Sequence, residues 1–307
     1  MTESRPAPAG FRCSAASLAR DDQLVGTAST VRSFLLVEHP GPWGREALRD
    51  AALPGNLLAG LRRRSASARV RVLMIRRHRQ RGQDGVRVFA AHAHPVLPWL
   101  ETAHLANHHD VLDLDLEALG AGRRPGLAPH TEPVFCVCTH GRHDTCCAEL
   151  GRPVAEALSR SHPEQTWEVS HLGGDRFAGN LLVLPDGLGY GRTTPETVSG
   201  VADAHLAGLI APEHLRGRSG HAMPVQVAEL AVRRELDEWR IDALRLAAPP
   251  EATSDGWRAR FVAGDGMVHE VTVHRSTSSE SHQLTCSATS ADPVPSYDAG
   301  TVRQVHS

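Results

Sequence analysis

The sequence predicts a mixed α/β (α+β) protein with more than one domain. The chain has 307 residues, which is room for two domains of ordinary size, and 41% of them are hydrophobic, which is enough to form buried cores. Short apolar runs of strand type also alternate with segments of helical periodicity along most of the chain.

The order of elements is clearest after residue 129. A strand over Val134–Cys138 precedes a helix over Cys147–Ser159, and a second strand follows over Thr166–Ser170. A helical turn is then predicted at 177–180. Two strands follow at 181–184 and 189–192, joined by a Pro-Asp-Gly turn, and a last helix lies at 195–208. Strand, helix, strand, short helix, two hairpin strands and helix is the element order of a thioredoxin-like fold.

The first part of the chain shows a looser version of this order. Strands are predicted at 32–38, 70–75 and 86–91. Two helices, at 45–53 and 56–64, are predicted between the first two strands. A polar turn over Arg79–Gly85 joins the last two strands. This order allows a degenerate thioredoxin-like repeat in the N-terminal half, although the two halves share little sequence identity.

Composition places two boundaries in the chain. Residues 120–129 are rich in glycine and proline and predict a linker. We therefore expect an N-terminal α/β domain (1–128), a thioredoxin-like domain (129–236) and a small β region with a mobile tail (237–307). In the last part, strands are predicted at 257–262, 268–274 and 284–286, and the tail begins at Ala288.

Charge and cysteine usage narrow the function classes. The formal net charge of −2 gives no indication of a nucleic-acid or membrane partner. The first residues lack the apolar run of a signal peptide, and no apolar segment approaches the length of a membrane span. Six cysteines are too few and too clustered for a secreted disulfide scaffold. We expect a cytoplasmic protein with reduced thiols.

Soft metal ligands are concentrated in one stretch, residues 135–190. Four cysteines lie close together at positions 136, 138, 146 and 147. Cys13 lies far from them and is more often structural than a ligand in such a position, and Cys286 is isolated in the sequence. Cys138 ends a predicted strand, and Cys147 begins a helix whose N-terminus favours the thiolate. His171 and Asp175 flank two glycines that allow the backbone N–H groups to turn toward a bound inorganic group. Two thiolates, an imidazole and one further ligand can hold zinc or a [2Fe–2S] cluster.

The run CTHGRHDTCC, followed by SHLGGDRFAGNLLVLPDGLGYGR, resembles the sucrase/ferredoxin-like family over roughly residues 10–240. Members of this family resemble thioredoxin-like [2Fe–2S] ferredoxins and share the pattern Cys, eight residues, Cys, a variable interval and His-x-Gly-Gly-His. The resemblance implies a [2Fe–2S] cluster held by Cys138, Cys147 and His171, with Gly173 and Gly174 against it. An imidazole ligand implies a raised, pH-dependent reduction potential.

The chain departs from the family pattern at the second histidine, which is Asp175 here. Position favours Asp175 as the fourth ligand, whereas softness favours Cys136 or Cys146. In the loop between the matched cysteines, His140, His143 and Asp144 either hydrogen-bond to ligands or cap a turn.

The resemblance implies one-electron, proton-coupled transfer with an unidentified redox partner protein, rather than turnover of a substrate. The alternatives are a structural zinc domain of a binding protein, a thiol–disulfide redox protein and a hydrolase. The sequence has no Cys-x-x-Cys for thiol–disulfide exchange and no carboxylate pair whose context suggests glycoside hydrolysis. It also has no GxGxxG after a strand, so we expect no nicotinamide or flavin site.

Overall fold

A computed structural model describes residues 10–79 and 84–305 of the chain. Its α-helices are, in chain order, α1 (Cys13–Ala19), α2 (Ala47–Asp50), α3 (Gly55–Ala68), α4 (Leu116–Gly120), α5 (Thr145–Ser161), α6 (Val198–Leu206) and α7 (Met223–Leu236). Its strands are β1 (Ser33–Glu38), β2 (Arg71–Arg76), β3 (Val86–His92), β4 (Trp99–Leu105), β5 (Ala128–Pro129), β6 (Val134–Cys138), β7 (Thr166–Val169), β8 (Leu181–Leu184), β9 (Leu188–Tyr190), β10 (Leu215–Arg218), β11 (Arg245–Leu246), β12 (Glu251–Ala252), β13 (Gly256–Val262), β14 (Val268–His282), β15 (Asp292–Ala299) and β16 (Arg303–Val305). Short 3-10 turns lie at His108–Asp113, Asp175–Phe177 and Pro212–His214.

One sheet runs through both halves of the described chain. Its ten strands lie in the order β10-β9-β8-β6-β7-β2-β1-β3-β4-β5. Strand β6 is parallel to β7 and antiparallel to β8, and β8 is antiparallel to β9. Strands β1, β2, β3 and β4 repeat this arrangement, with β1 in the place of β6. The predicted fold class is therefore confirmed, including the degenerate thioredoxin-like repeat.

The two units join through corresponding strands. The second strand of each unit, β2 and β7, pairs antiparallel with its counterpart, with Ile75 opposite Val169 and Arg76 opposite Glu168. Antiparallel pairing of equivalent strands relates the units by an approximate two-fold rotation. The division into domains at residues 128 and 236 remains a prediction, and the turn predicted over Arg79–Gly85 falls largely on residues 80–83, outside the described chain.

Alternation along each strand sends side chains into different cores. On β6, Phe135 and Val137 pack with α5 and α6, whereas Cys136 and Cys138 pack into a core shared by both units. A separate core lies within the N-terminal unit, between its strands β1, β2, β3 and β4 and its helices α2, α3 and α4. The predicted placement of Cys136 and Cys138 on one face is thus observed.

The C-terminal region differs from the sequence prediction. The predicted strand at 284–286 is absent from the described structure, and the tail expected to be mobile contains β15 and β16. These strands pair with β14, and Val294 and Tyr297 of β15 are buried. These are the only two buried positions of β15. The rest of its sequence is too polar for hydrophobic periodicity to predict a strand. In the described part of the chain, none of the helices has the length and apolarity needed to span a membrane.

Candidate metal centre

The end of β6 and the start of α5 bring two cysteines together. Cys138 is the last residue of β6, and Cys147 lies in the first turn of α5. The N-cap of that helix is Asp144, whose side chain accepts a hydrogen bond of 2.9 Å from the Cys146 backbone N–H. Both cysteines are buried, and their sulfur atoms lie within 4.8 Å of each other and of a ring nitrogen of His171.

The turn after β7 supplies a carboxylate and an imidazole. His171 Nδ1 lies 2.9 Å from Asp175 Oδ1, and Cys147 Sγ donates a hydrogen bond of 3.2 Å to the same oxygen. Positive φ angles at Gly173 (95°) and Gly174 (77°) let the chain turn between the histidine and the carboxylate. We call Cys138, Cys147, His171 and Asp175 the Cys138 site.

The donor atoms of the Cys138 site fit a thiolate- and imidazole-binding metal centre. Nδ1 of His171 is buried, and among the described residues it makes no hydrogen bond of acceptable angle, despite the nearby carboxylate. A buried polar atom without a partner is rare in folded proteins and is explained when it ligates an ion. Two sulfurs, an imidazole and a carboxylate suit zinc or a [2Fe–2S] cluster.

The close contacts within the Cys138 site shift the pKa values of its four side chains in different directions. The hydrogen bond from Cys147 lowers the pKa of Cys138 well below its usual range, against the effect of burial, whereas the Cys138 thiolate and burial raise the pKa of Cys147. Burial disfavours a charged imidazole, but Asp175 and Cys138 outweigh it and raise the pKa of His171 to about 9. Burial likewise opposes ionisation of Asp175, but His171 lowers the pKa of this carboxyl. The site is therefore a compact set of alternating charges.

Two arginines that sequence reasoning missed support the turn. Arg216 Nη1 donates to the carbonyl of Gly173 at 2.9 Å and to Asn180 Oδ1 at 2.7 Å, and Arg71 Nη2 donates to the carbonyl of His171 at 2.7 Å. Burial lowers the pKa of Arg216 to about 10, which leaves it charged at neutral pH. Arg216 lies on edge strand β10, so its proximity to the turn depends on strand order, for which the sequence contains no signal.

Two histidines of the loop before α5 also contact the site. The backbone N–H of His171 donates to His140 Nδ1 at 3.2 Å, and His140 Nε2 lies 2.8 Å from the Gly44 carbonyl, so His140 fixes the backbone at His171. The ring of His143 stacks on that of His171, with centroids 3.7 Å apart. His143 Nε2 is 3.9 Å from Asp175 Oδ2, which makes His143 a further donor at the edge of the site.

The structure places the two rival cysteines elsewhere. Cys136 packs in the hydrophobic core, where burial raises the pKa of its thiol. Cys146 lies beside Cys13, Asp144 and Cys286, with their ligand atoms within 4.8 Å of one another. Cys13 and Cys286 are isolated in the sequence, but the fold brings them together over 273 positions of sequence separation.

A cavity opens beside the Cys138 site. Its volume is about 350 Å³, and its wall includes Arg45, His143, Asp175 and the loop between β14 and β15. The carboxylate and the outer histidine of the site thus face a space large enough for solvent or a small ligand.

Comparison with known proteins gives one family. The family model described as sucrase/ferredoxin-like matches residues 24–217. Yeast proteins named altered inheritance of mitochondria protein 32 are 30% identical over 98 residues in Meyerozyma guilliermondii, covering 28% of this chain and 35% of the relative. The corresponding protein of Debaryomyces hansenii is 30% identical over 95 residues, covering 27% and 35%. The chain thus spans about a third of the length of the curated relatives it matches.

Among solved structures, two cysteine-to-serine variants of the thioredoxin-like [2Fe–2S] ferredoxin from Aquifex aeolicus match with 20% identity and a TM-score of 0.24. Each match covers 27% of this chain and 97% of the ferredoxin.

Proposed function

Because the chain belongs to the sucrase/ferredoxin-like family, we propose that it binds a [2Fe–2S] cluster at the Cys138 site and transfers single electrons to and from a partner protein. Such a cluster accepts and returns one electron, at a potential that its ligands and nearby charges set. A cytoplasmic location remains a prediction from the sequence.

The observation that carries the proposal is the convergence of Cys138, Cys147 and His171 from three elements, with Asp175 in contact with both His171 and Cys147. Cys138 and Cys147 match the cysteine spacing of the family, and His171 matches its first histidine. Nδ1 of His171 is already desolvated, and its contact with Asp175 Oδ1 does not have the angle of a hydrogen bond, so ligation would satisfy it. The lowered pKa of Cys138 favours its thiolate, which is the form that ligates a metal.

The surroundings of the site support a centre with net negative charge. The guanidinium groups of the buried Arg216 and the half-buried Arg71 hydrogen-bond to the backbone of the His171 turn. Fixed positive charge close to a thiolate-ligated centre favours the reduced, more negative state and so raises its potential.

The distances favour Asp175 as the fourth ligand over the two cysteine rivals. Asp175 Oδ1 lies within 3.2 Å of both His171 Nδ1 and Cys147 Sγ, whereas Cys136 belongs to none of the groups of converging donors among the described residues. His143 is a competitor that only the structure reveals. Asp175 also lines the cavity beside the site.

A single structural zinc ion is the second candidate for the Cys138 site. The sulfur atoms and the ring nitrogen lie within 4.8 Å of one another, a spacing that also suits one tetrahedral ion. Iron and acid-labile sulfide distinguish the candidates, because a zinc centre contains neither.

The test uses the full chain purified without oxygen. We expect about two irons and about two sulfides per chain, with visible absorption that bleaches on reduction. Both should be lost in Cys147→Ala and kept in the control Cys136→Ala, which removes a buried thiol outside the site. A wild-type protein without iron and sulfide, even after anaerobic reconstitution, would overturn the proposal.

Substitutions of the fourth donor refine the test. Asp175→His restores the family pattern and should retain the iron with a shifted visible spectrum, whereas Asp175→Ala should lose it. If His143→Ala loses the iron and Asp175→Ala does not, the imidazole is the fourth ligand.

A further inference from the structure

Three cysteines and an aspartate from distant parts of the chain meet on the other side of the start of α5. Cys13 begins α1, Asp144 caps α5, Cys146 lies in its first turn, and Cys286 lies between β14 and β15. Their ligand atoms all lie within 4.8 Å of one another, and all but Cys286 are less than 3% exposed. We call these four residues the Cys286 site.

Three of the six separations between these donors are close to the edges of a tetrahedron around one ion. Cys146 Sγ is 3.2 Å from Cys286 Sγ, Cys286 Sγ is 3.6 Å from Cys13 Sγ, and Cys13 Sγ is 3.7 Å from each oxygen of Asp144. With zinc–sulfur bonds of about 2.3 Å and zinc–oxygen bonds of about 2.0 Å, tetrahedral ligands lie roughly 3.5–3.8 Å apart. The three measured separations are close to these values, and the remaining donor pairs lie within 4.8 Å.

Hydrogen bonds already hold the carboxylate and one sulfur in place. Asp144 Oδ1 accepts from the backbone N–H of Cys146 at 2.9 Å, and Oδ2 accepts from that of Cys286 at 2.7 Å. Each carboxylate oxygen keeps a second lone pair for a metal. The hydroxyl of Ser14 donates to Cys146 Sγ at 3.1 Å, which is the kind of outer contact that orients a metal ligand.

We propose that Cys13, Asp144, Cys146 and Cys286 bind a structural zinc ion, separate from the centre at the Cys138 site. Three thiolates and one carboxylate are a donor set that zinc accepts, and four protein ligands leave no open position for a substrate. The proposal does not depend on the proposed electron-transfer function, because the two sites share no donor.

The zinc ion would fasten the loop between β14 and β15 to α5. Among the residues of this loop that line the cavity are Leu284, Thr285 and Ser287, which stand opposite His143 and Asp175. Cys146 is also the chain neighbour of Cys147 in the Cys138 site. Zinc would thereby fix both the ligand-bearing turn of α5 and the outer wall of the cavity.

The first measurement is the zinc and iron content of the same full-length samples, after expression with zinc and purification under reducing conditions. We expect about one zinc per chain in the wild type, retained in Cys147→Ala and in the control Cys136→Ala. In Cys13→Ala and in Cys286→Ala, the zinc content per chain should fall at least tenfold, while the iron content stays at the wild-type value. Zinc that is lost in Cys147→Ala instead, or that is unchanged in both Cys13→Ala and Cys286→Ala, would overturn the proposal.

X-ray absorption at the zinc edge of the wild type gives a test that needs no variant to fold. Three sulfurs at about 2.3 Å and one oxygen at about 2.0 Å are expected. Two sulfurs with an imidazole would instead place the zinc in the Cys138 site. A wild-type protein that takes up no zinc, or that shows a Cys146–Cys286 disulfide by peptide mass spectrometry under the same reducing conditions, would also contradict the proposal.

Discussion

Arg76 and Glu168 form an ion pair across the two strands that join the thioredoxin-like units. Arg76 Nη2 lies 2.8 Å from Glu168 Oε2, and the glutamate is buried. The same oxygen accepts from the hydroxyl of Thr139 at 2.8 Å, and Oε1 lies 2.7 Å from His78 Nδ1. Because Thr139 follows Cys138 in the chain, the junction between the units is connected to the candidate metal centre.

Removal of Arg76 should weaken this junction. Arg76→Ala leaves the buried carboxylate of Glu168 without its main positive partner, and we expect the free energy of unfolding at pH 7 to fall by about 1–3 kcal/mol. The control is Arg160→Ala, which removes an exposed ion pair with Glu156 and should cost under about 0.5 kcal/mol. Urea unfolding of both variants is the measurement. Equal losses of unfolding free energy would show that the Arg76–Glu168 pair contributes no more to stability than the exposed pair.

Local patterns were sufficient for the elements around the Cys138 site. Strands β6 and β8 begin and end at the predicted residues, because apolar runs bounded by turn residues fix short strands. The family spacing predicted which cysteines lie near His171. These are relationships within about 40 residues of chain, where sequence order nearly determines spatial order.

The remaining features depend on contacts between distant segments. Periodicity shows which face of a strand is buried but not which strand lies beside it, so the pairing of β2 with β7 was not predictable. The approach of Arg216 to Gly173 and of Cys286 to Cys13 depends on such pairings. Each of these residues is unremarkable in its own sequence context.

Acid should destabilise the protein through Glu229, a buried residue of α7. Its Oε1 lies 2.9 Å from Arg233 Nη2 and 3.6 Å from Arg218 Nε, and its Oε2 lies 3.2 Å from His221 Nδ1. Burial acts to raise the pKa of Glu229, but Arg218, with His221 and Arg233, outweighs it and lowers the pKa well below the usual value. The stabilisation is complete above the unfolded-state pKa of about 4.3 and is lost as the pH falls through the folded-state pKa.

We therefore expect Glu229→Gln to be less stable than the wild type at pH 7, by about 3 kcal/mol, because two buried arginines lose their counter-charge. The difference should shrink as the pH falls below about 4, where the wild type loses the same interaction. Denaturant unfolding between pH 7 and pH 3 measures both effects, with Glu164→Gln as an exposed control. A difference that does not vary with pH would contradict the assignment.

A close approach of α5 to β6 requires glycine at position 151. A Cβ atom on Gly151 would lie 1.9 Å from the carbonyl oxygen of Cys138. Gly151→Ala must push the helix away from the strand, which separates Cys147 from Cys138. We expect a loss of about 1–3 kcal/mol in the free energy of unfolding, together with loss of bound iron.

Gly200 in α6 is the matched control, since a Cβ atom there meets nothing within 4 Å. Gly200→Ala should raise stability by about 0.5–1 kcal/mol because alanine favours a helix interior. Thermal unfolding and iron content of the two variants test the contrast. If Gly151→Ala were as stable and as rich in iron as Gly200→Ala, helix and strand would not need their observed separation.

The two glycines between His171 and Asp175 should differ in their tolerance of alanine. Both have positive φ, so either substitution costs about 1–2 kcal/mol of backbone strain. A Cβ atom on Gly173 meets nothing within 4 Å, whereas one on Gly174 would lie 2.2 Å from Nη2 of Arg216, a buried side chain held by its own hydrogen bonds.

Gly174→Ala should therefore displace Arg216 and lose a further 1–3 kcal/mol or so of stability relative to Gly173→Ala, as overpacking does. We expect iron to be retained in Gly173→Ala and lost in Gly174→Ala, with iron content and urea unfolding measured on the same preparations. Equal iron loss in both would mean that the backbone conformation of the turn, and not its support by Arg216, holds His171 and Asp175 in position. Equal retention would mean that the turn adapts to the side chain and that Arg216 is not needed to position the ligands.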